Sequence, residues 1–580
     1  MGTISDKLMR IINTKEDIRQ ALISKGYDVP TSIPFKEYAK MILDLPCKVD
    51  SFPDIEGIVA RYSASGLTNE QMAANPVWVD KTGNGHDLQM KNFAWSGMSG
   101  VGGYEMNFNL WSNNVPSISD ISMSKTTTSV SVSVGNSAYN NNLIYIHKNN
   151  WDVNKNHWLK VTSTYEDGDL AFIFYNDKNT KKIELPANGY ANIPAYPEFK
   201  GSYMYISTTS NKQGSFTIEQ LPLYPGALVF DGVDDYGVCD NFPILTKEKG
   251  YTVVVLRQWD QDFLNTTLTG GLLSTRNYST GEGVAFEKIE SSNKGYWNLG
   301  AGGIIDFAKS PFTWQTSKQY NNVGILKGDK NHGKPLCVGC GLSGGQQCGR
   351  FAIWELVFLD HDATEEELTK IKDYFVKTYP WLFPDQAWTV TGKTNEDEDR
   401  ATIANITGNG NDLVLSNFGF AEGSGYNEEG EYAGYLVTDG VDDKIISSIF
   451  KMGNDWTVIG DWELINTGKN DNAGIVKFDS IVIYNYNSML INIKNGRNIL
   501  IPDQNTVNAI CSDGRIYLKD WKESIYNEET ESTSKNFLTI GYSGNAYTKI
   551  AFKNLAIYPT VLSREDCIKA YNYLQTLKAK

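Results

Sequence analysis

The sequence contains two near-copies of one ten-residue block, GALVFDGVDD from Gly226 to Asp235 and GYLVTDGVDD from Gly434 to Asp443, identical at eight positions. Each reads as an apolar strand stopped by an Asp-Gly turn, because glycine reaches positive φ without a Cβ clash and aspartate tolerates the corner. A second pair lies upstream, TGNGHDLQMKNF from Thr82 to Phe93 and TGNGNDLVLSNF from Thr407 to Phe418, with eight identities in twelve. A strand and turn that recur together predict a recurring domain.

The landmarks are not equally spaced. The two Asp-Gly blocks are offset by 208 residues and the two Thr-Gly-Asn-Gly blocks by 325, so the first copy holds about 117 more residues between its landmarks. Downstream, FAIWELVFLDHDATEEEL from Phe351 and FKNLAIYPTVLSREDC from Phe552 correspond at an offset near 200, so no large insertion follows the turn. The expectation is two copies of one unit, the first interrupted: 51–103 plus 226–384, an insertion over 104–225, and 385–580.

Composition agrees with β-rich domains. Of 580 residues 12% are aromatic and only 21% charged, which favours sandwiches over helical bundles. A formal charge of −15, with no cluster of Lys and Arg interleaved with aromatics, argues against nucleic acid and anionic lipid as partners. No apolar run approaches the ~18 residues a membrane span needs. The opening MGTISDKLMRIINTKEDI lacks an apolar h-region and is expected not to be a secretory signal. Seven scattered cysteines do not predict a disulfide framework, and synthesis in a reducing cytoplasm is the simplest reading.

In chain order, residues 1–50 differ from the rest. Ser5 can cap a helix carrying Leu8, Ile11 and Ile12. Thr14 and Asp17 suit a capping box for a helix bearing Ile18, Leu22 and Ile23, and a third helix sets Phe35, Tyr38, Ile42 and Leu45 on one face. Stripes on so short a segment need a partner, either the next domain or a docking or oligomerisation surface. The insertion offers regular alternating strands, among them SVSVSV, WLKVTSTY, LAFIFY, YMYIST and SFTIEQL, and reads as an antiparallel sandwich. After Asp235 come YTVVVLRQW, GGLLSTR, GVAFEKIE, PLCVGCG and FAIWELVFL, then a helix capped by Thr364 with Glu367. The second copy runs through WTVIGDWELI, a hairpin around Asp513-Gly514, FLTIGY and FKNLAIY to the helix SREDCIKAYNYL.

This series, with its FDGVDD strand, Asp-Gly hairpin and closing strand and helix, resembles the laminin-G-like, concanavalin-A-like jelly roll. It departs from that pattern at Thr438, where the first copy has Phe230. The closing SFTIEQLPLYPG of the insertion resembles the last strand of jelly-roll carbohydrate-binding modules. NTKEDIRQALISKGYDVPTSIPFKEYAKMI resembles the short helical segment at the front of many bacteriophage head and tail fibre proteins. The fold class these resemblances imply is mainly β and multidomain: two jelly-roll sandwiches, an inserted β-sandwich and a small helical N-terminal segment.

Candidate chemistry competes with structural roles at each position. Gly341-Leu342-Ser343-Gly344-Gly345 satisfies G-x-S-x-G, but a nucleophile elbow needs a strand before and a helix after it, and here a strand follows; a hairpin turn is expected. Cys337, Cys340 and Cys348, with His332, could mimic a zinc site, yet Cys337 and Cys340 align with Thr539 and Tyr542 of the other copy, and ordinary strand positions are expected. The acidic run from Glu396 to Asp399 lies in a polar loop, unlike the paired carboxylates of glycoside hydrolysis. Calcium is the one cofactor with candidate ligands, at Asp231, Asp234 and Asp235 and at Asp439, Asp442 and Asp443; turn-forming roles compete for the same groups. Trp95, Trp151 and Trp297 lie near expected loops and could stack on a sugar, with core packing as the alternative.

Lectin-like sandwiches normally work outside cells, and a virion protein released by lysis reconciles that with the missing export signal. The expectation is a non-enzymatic structural protein on the surface of a bacteriophage particle, crAss-like phages among the candidates. It would be a head or tail fibre or decoration, a dimer or trimer docked to capsid or tail proteins through residues 1–50, with host-surface glycans as a further partner. A dedicated receptor-binding adhesin and a glycan-degrading enzyme are the alternatives.

Overall fold

Alternation decides the strands. In Ser129–Val134 the valines are buried and the serines are not, and in both Leu88–Lys91 and Leu413–Ser416 the first and third residues are buried while the second and fourth are exposed. Side chains that alternate across a strand put one face on a core. The computed structural model describes residues 52–579, leaving out 114–120, 136–141, 276–284, 289–293, 298–302, 307–322, 327–334, 466–472, 502–506, 526–534 and breaks of one to four residues elsewhere. The N-terminal segment with Leu8, Ile11, Ile12, Ile18, Leu22, Ile23, Phe35 and Tyr38 lies outside the described residues.

The two copies share one strand order. In the first, one sheet runs Gly100–Val101, Leu228–Asp231, Arg350–Leu359, Tyr251–Trp259, Val323–Leu326, with Ile58–Ser63 also paired to Arg350–Leu359. In the second the corresponding sheet runs Gly425–Asn427, Tyr435–Val437, Ile550–Tyr558, Thr457–Leu464, Val507–Cys511, with Gln386–Thr389 on Ile550–Tyr558, and continues past the matching strands into Arg515–Leu518 and Glu523–Ile525. A β-bulge interrupts the central pairing in the same place, at Leu256/Arg257 and at Asp461/Trp462. The facing sheets also match, from Val77–Trp78 through to Gly303–Asp306 and from Thr402–Ile403 through to Arg497–Ile501. Each pair of sheets encloses its own core, one around Phe230, Trp259, Phe351 and Phe358, the other around Trp388, Trp462 and Phe552.

The strands between Ser112 and Gln220 pair with one another in two further sheets around a third core of Trp111, Phe172, Phe174 and Ile218. Three of these strands, Ser112–Asn113, Ile121–Lys125 and Asn188–Ile193, escaped the sequence reading. The last carries Asn188, Gly189 and Asn192, residues depleted in strands, and pairs because His157–Ser163 offers it a complete ladder.

Two helices close the copies. Glu365–Thr378 has the expected capping box of Thr364 and Glu367, and buries a single stripe of Leu368, Ile371, Tyr374 and Phe375. It covers a buried network in which Arg61 Nε and Nη2 donate to Glu355 at 3.2 and 3.3 Å, and the Tyr379 hydroxyl donates to the same carboxylate at 2.8 Å. Arg564–Gln575, capped by Ser563, instead buries Cys567, Ile568, Ala570, Tyr571, Asn572, Tyr573 and Leu574, nearly its whole circumference. A helix buried all round lies between bodies rather than on one. Its Tyr573 ring meets Trp354 of the first sandwich at 6.0 Å, and Tyr571 meets Trp158 of the insertion at 5.1 Å and Trp521 of the second sandwich at 5.6 Å. Just beyond it, Gln258 Nε2 donates to Thr576 Oγ1 at 2.9 Å. The C-terminal helix therefore joins all three sandwiches, and from Ile55 onward the chain is one compact unit.

One cysteine expectation is corrected. Cys340 and Cys348 form a disulfide, bridging the short strands Cys340–Leu342 and Gln346–Cys348. Scattered spacing in sequence concealed two sulfurs that an antiparallel hairpin sets opposite each other. Leu342 and Gln346, which flank the Ser-Gly-Gly of the G-x-S-x-G stretch, pair on those antiparallel strands; Ser343, Gly344, Gly345 and His332 lie outside the described residues.

Candidate functional site

The duplicated landmarks meet at the rim of each sandwich and build the same loop cluster twice. Asp235 accepts the Asp231 N–H at 3.0 Å and the Ser99 hydroxyl at 2.9 Å. Asp443 accepts the Asp439 N–H at 2.7 Å and the Ser424 hydroxyl at 3.1 Å. Asp231 and Asp439 each accept an N–H two residues on, from Val233 and Val441, both at 2.7 Å. Asn92 and Asn417, at φ of 66° and 69°, donate to the carbonyls of Asp234 and Asp442 at 3.1 and 3.0 Å, tying one landmark to the other. Asparagine tolerates that left-handed backbone better than most residues. The shared Asn-Phe pair at the end of each upstream block was the signal for this tie.

A second clamp was not read from the sequence. Asn69 accepts the Val101 N–H and Asn395 the Tyr426 N–H, both at 2.8 Å. Each amide lies against a glycine, Gly100 or Gly425, where a Cβ would sit 2.4 or 2.5 Å from the asparagine oxygen, so only glycine fits.

Each rim places three carboxylates, Asp231, Asp234 and Asp235 or Asp439, Asp442 and Asp443, with one oxygen apiece within 4.8 Å of the others. Such an all-oxygen set could hold a hard divalent ion. Asp235 and Asp443 are 0% and 1% exposed, and burial pushes their carboxyls up to about 7 and about 6 against the hydrogen bonds they accept. The turn-forming roles weighed in the sequence are thus filled by the groups that would ligate an ion.

The tryptophans separate. Trp151 is 5% exposed and packed in the insertion core against Phe172 at 4.6 Å and His157 at 4.2 Å, so its ring is not offered to a sugar. Trp95 is half-buried at the first rim, at φ of 50°, with Phe93 stacked on it at 4.6 Å. Trp297 ends the strand Lys294–Trp297, its side chain outside the described residues. In the loop from Glu396 to Asp399, Asp397 accepts the Thr394 N–H at 2.9 Å and Asp399 meets Lys393 at 2.6 Å. Cys337 is buried beside the disulfide, and burial raises its thiol to about 12, far from a thiolate ligand.

These features define a mainly β, multidomain protein of packed β-sandwiches. No protein-family model and no curated protein matches the sequence. Among solved structures it is similar to Trypanosoma rangeli sialidase in complex with sialic acid, at 9% identity over 79% of this chain and 85% of that one, TM-score 0.22. It is also similar to the binding domain of botulinum neurotoxin serotype D, at 12% identity over 59% and 89%, TM-score 0.22. Superposition this loose says nothing about activity.

Proposed function

We propose that this chain is a structural, non-enzymatic protein of a bacteriophage particle, a head or tail fibre or decoration that displays its sandwiches and helps hold host-surface glycans. The observation that carries the reading is the C-terminal helix, whose rings meet aromatic residues of all three sandwiches. A display arm gains from such fusion, because large buried aromatic seams suppress motion between domains. The chemistry-bearing residues support it as well: Asp235 and Asp443 tie turns, and Cys340 and Cys348 cross-link a hairpin. Residues 1–50 are the docking segment, joining a dimer or trimer to capsid or tail proteins. Calcium is the ion the rim carboxylates would take, as a stabiliser of the turns.

Antibody labelling of purified particles tests the location, and loss of residues 1–45 is expected to abolish incorporation while the remainder stays folded. Absence from particles by mass spectrometry refutes the reading. A dedicated receptor-binding adhesin is the second reading, favoured by a polar cleft beside the C-terminal helix.

A further inference from the structure

We infer that the cleft between the insertion and the C-terminal helix binds a carboxylated saccharide, with Arg564 receiving the carboxylate. The cleft has a volume of about 610 Å³ and is lined on one wall by Lys160, Tyr190 and Glu219 of the insertion and on the other by Arg564 and Asn572 of the helix, with Tyr104 at its edge. That volume suits a ligand of one to a few rings.

Its charges do not cancel. Lys160 meets Glu219 at 2.9 Å, and on the helix Lys569 meets Glu565 at 2.8 Å. Arg564 is exposed and has no carboxylate partner among the described residues; its guanidinium lies 5.7 Å from the centroid of the Tyr190 ring, which orients the group without neutralising it. A planar fork held in place and unpaired is suited to bidentate capture of a carboxylate.

The second observation is Asn572. It is 6% exposed, lines this cleft, and its side-chain amide has no hydrogen-bond partner among the described residues. An amide that lines the cleft and is paired to no protein group can donate to and accept from a ligand hydroxyl in place of water. Lys160 and Glu219, both roughly half-exposed, add a donor and an acceptor on the opposite wall. One cation, an amide and a mixed donor–acceptor wall match a saccharide carrying one carboxylate among hydroxyls. An acidic peptide would set its further carboxylates against Glu219 and Glu565.

The inference deepens the glycan-attachment reading and rests on it for its biological use, but its test does not involve the particle. Purified full-length protein is titrated calorimetrically with oligosaccharides bearing uronic or sialic acid, with their carboxyl-reduced counterparts, and with poly-glutamate. Selective binding of the acidic sugars is expected. Arg564→Ala should weaken it roughly ten- to hundredfold, Arg564→Lys should restore part of the loss, and Asn572→Ala should weaken acidic and reduced sugars alike. Unchanged unfolding midpoints exclude a folding defect; Asn572→Asp serves as a second probe and should repel the acidic sugars specifically. Equal affinity for acidic and reduced sugars, equal binding of poly-glutamate, or no binding at all overturns the inference. Binding by a protein absent from particles would leave the cleft standing and remove the virion assignment; labelled particles without sugar binding would do the reverse.

Discussion

Replacing Asp235 by asparagine should flatten the pH dependence of stability. The carboxyl is fully buried and holds its proton to about pH 7, against an ordinary value of 3.8, because burial disfavours its charge, with Asp231 and Asp234 adding repulsion. Between those two pH values the folded protein keeps a proton that the unfolded chain has released, so rising pH favours unfolding. Below about 4 both states hold the proton, and above about 7 neither does. At about 1.4 kcal/mol for each pH unit of that window, the loss on going from pH 4 to 7.5 is at most about 4 kcal/mol, and about 2 kcal/mol if the turn relaxes around the charge. The amide of the Asp235→Asn variant cannot ionise, so the difference between parent and variant should carry that slope, while any mismatch with the Ser99 hydroxyl adds only a constant. Asp443 should contribute the same slope over a shorter window, ending near pH 6, and so a smaller total. Glu367 and Asp397, held below the usual carboxylate range, act in the opposite sense and cancel in the difference. The assay is urea unfolding followed by tryptophan fluorescence from pH 4 to 8 in chelator. Parallel curves for parent and variant would refute the buried-carboxyl argument. Added calcium at pH 7.5 should raise the midpoint of the parent and not of the Asp235→Asn/Asp443→Asn double variant.

Two further outcomes follow from buried chemistry in the first copy. Glu355→Ala should cost about 3–5 kcal/mol in urea unfolding, because it leaves Arg61, 4% exposed, charged beneath the helix without its carboxylate; a loss under about 1 kcal/mol would mean the network is not buried as described. Reducing Cys340–Cys348, eight residues apart, should cost about 2–3 kcal/mol by loop entropy. Identical unfolding midpoints with and without dithiothreitol would show that the bridge is absent in solution.

Much of the rim was legible because its signals are local. An Asp-Gly turn, a Thr-Gly-Asn-Gly turn and a capping box at Thr364 each need a few adjacent residues, and duplication repeated the turn pairs. Between the two roles weighed for Trp151 the local sequence could not choose, because its neighbours look like loop while its ring packs on Phe172, from a strand about twenty residues on. The Cys340–Cys348 bridge was missed because spacing cannot tell opposed strand positions from adjacent ones.

The duplication, the strands and turns of each copy, and the interruption of the first were determined by the amino-acid sequence, since hydrophobic alternation and backbone preference act over a handful of residues. Tertiary structure alone decided that the C-terminal helix joins three sandwiches and opens a charged cleft against the insertion. Those contacts link residues as far apart as Gln258 and Thr576, 318 positions distant. Burial and charge pairing there depend on which surfaces meet, and no local pattern carries that information.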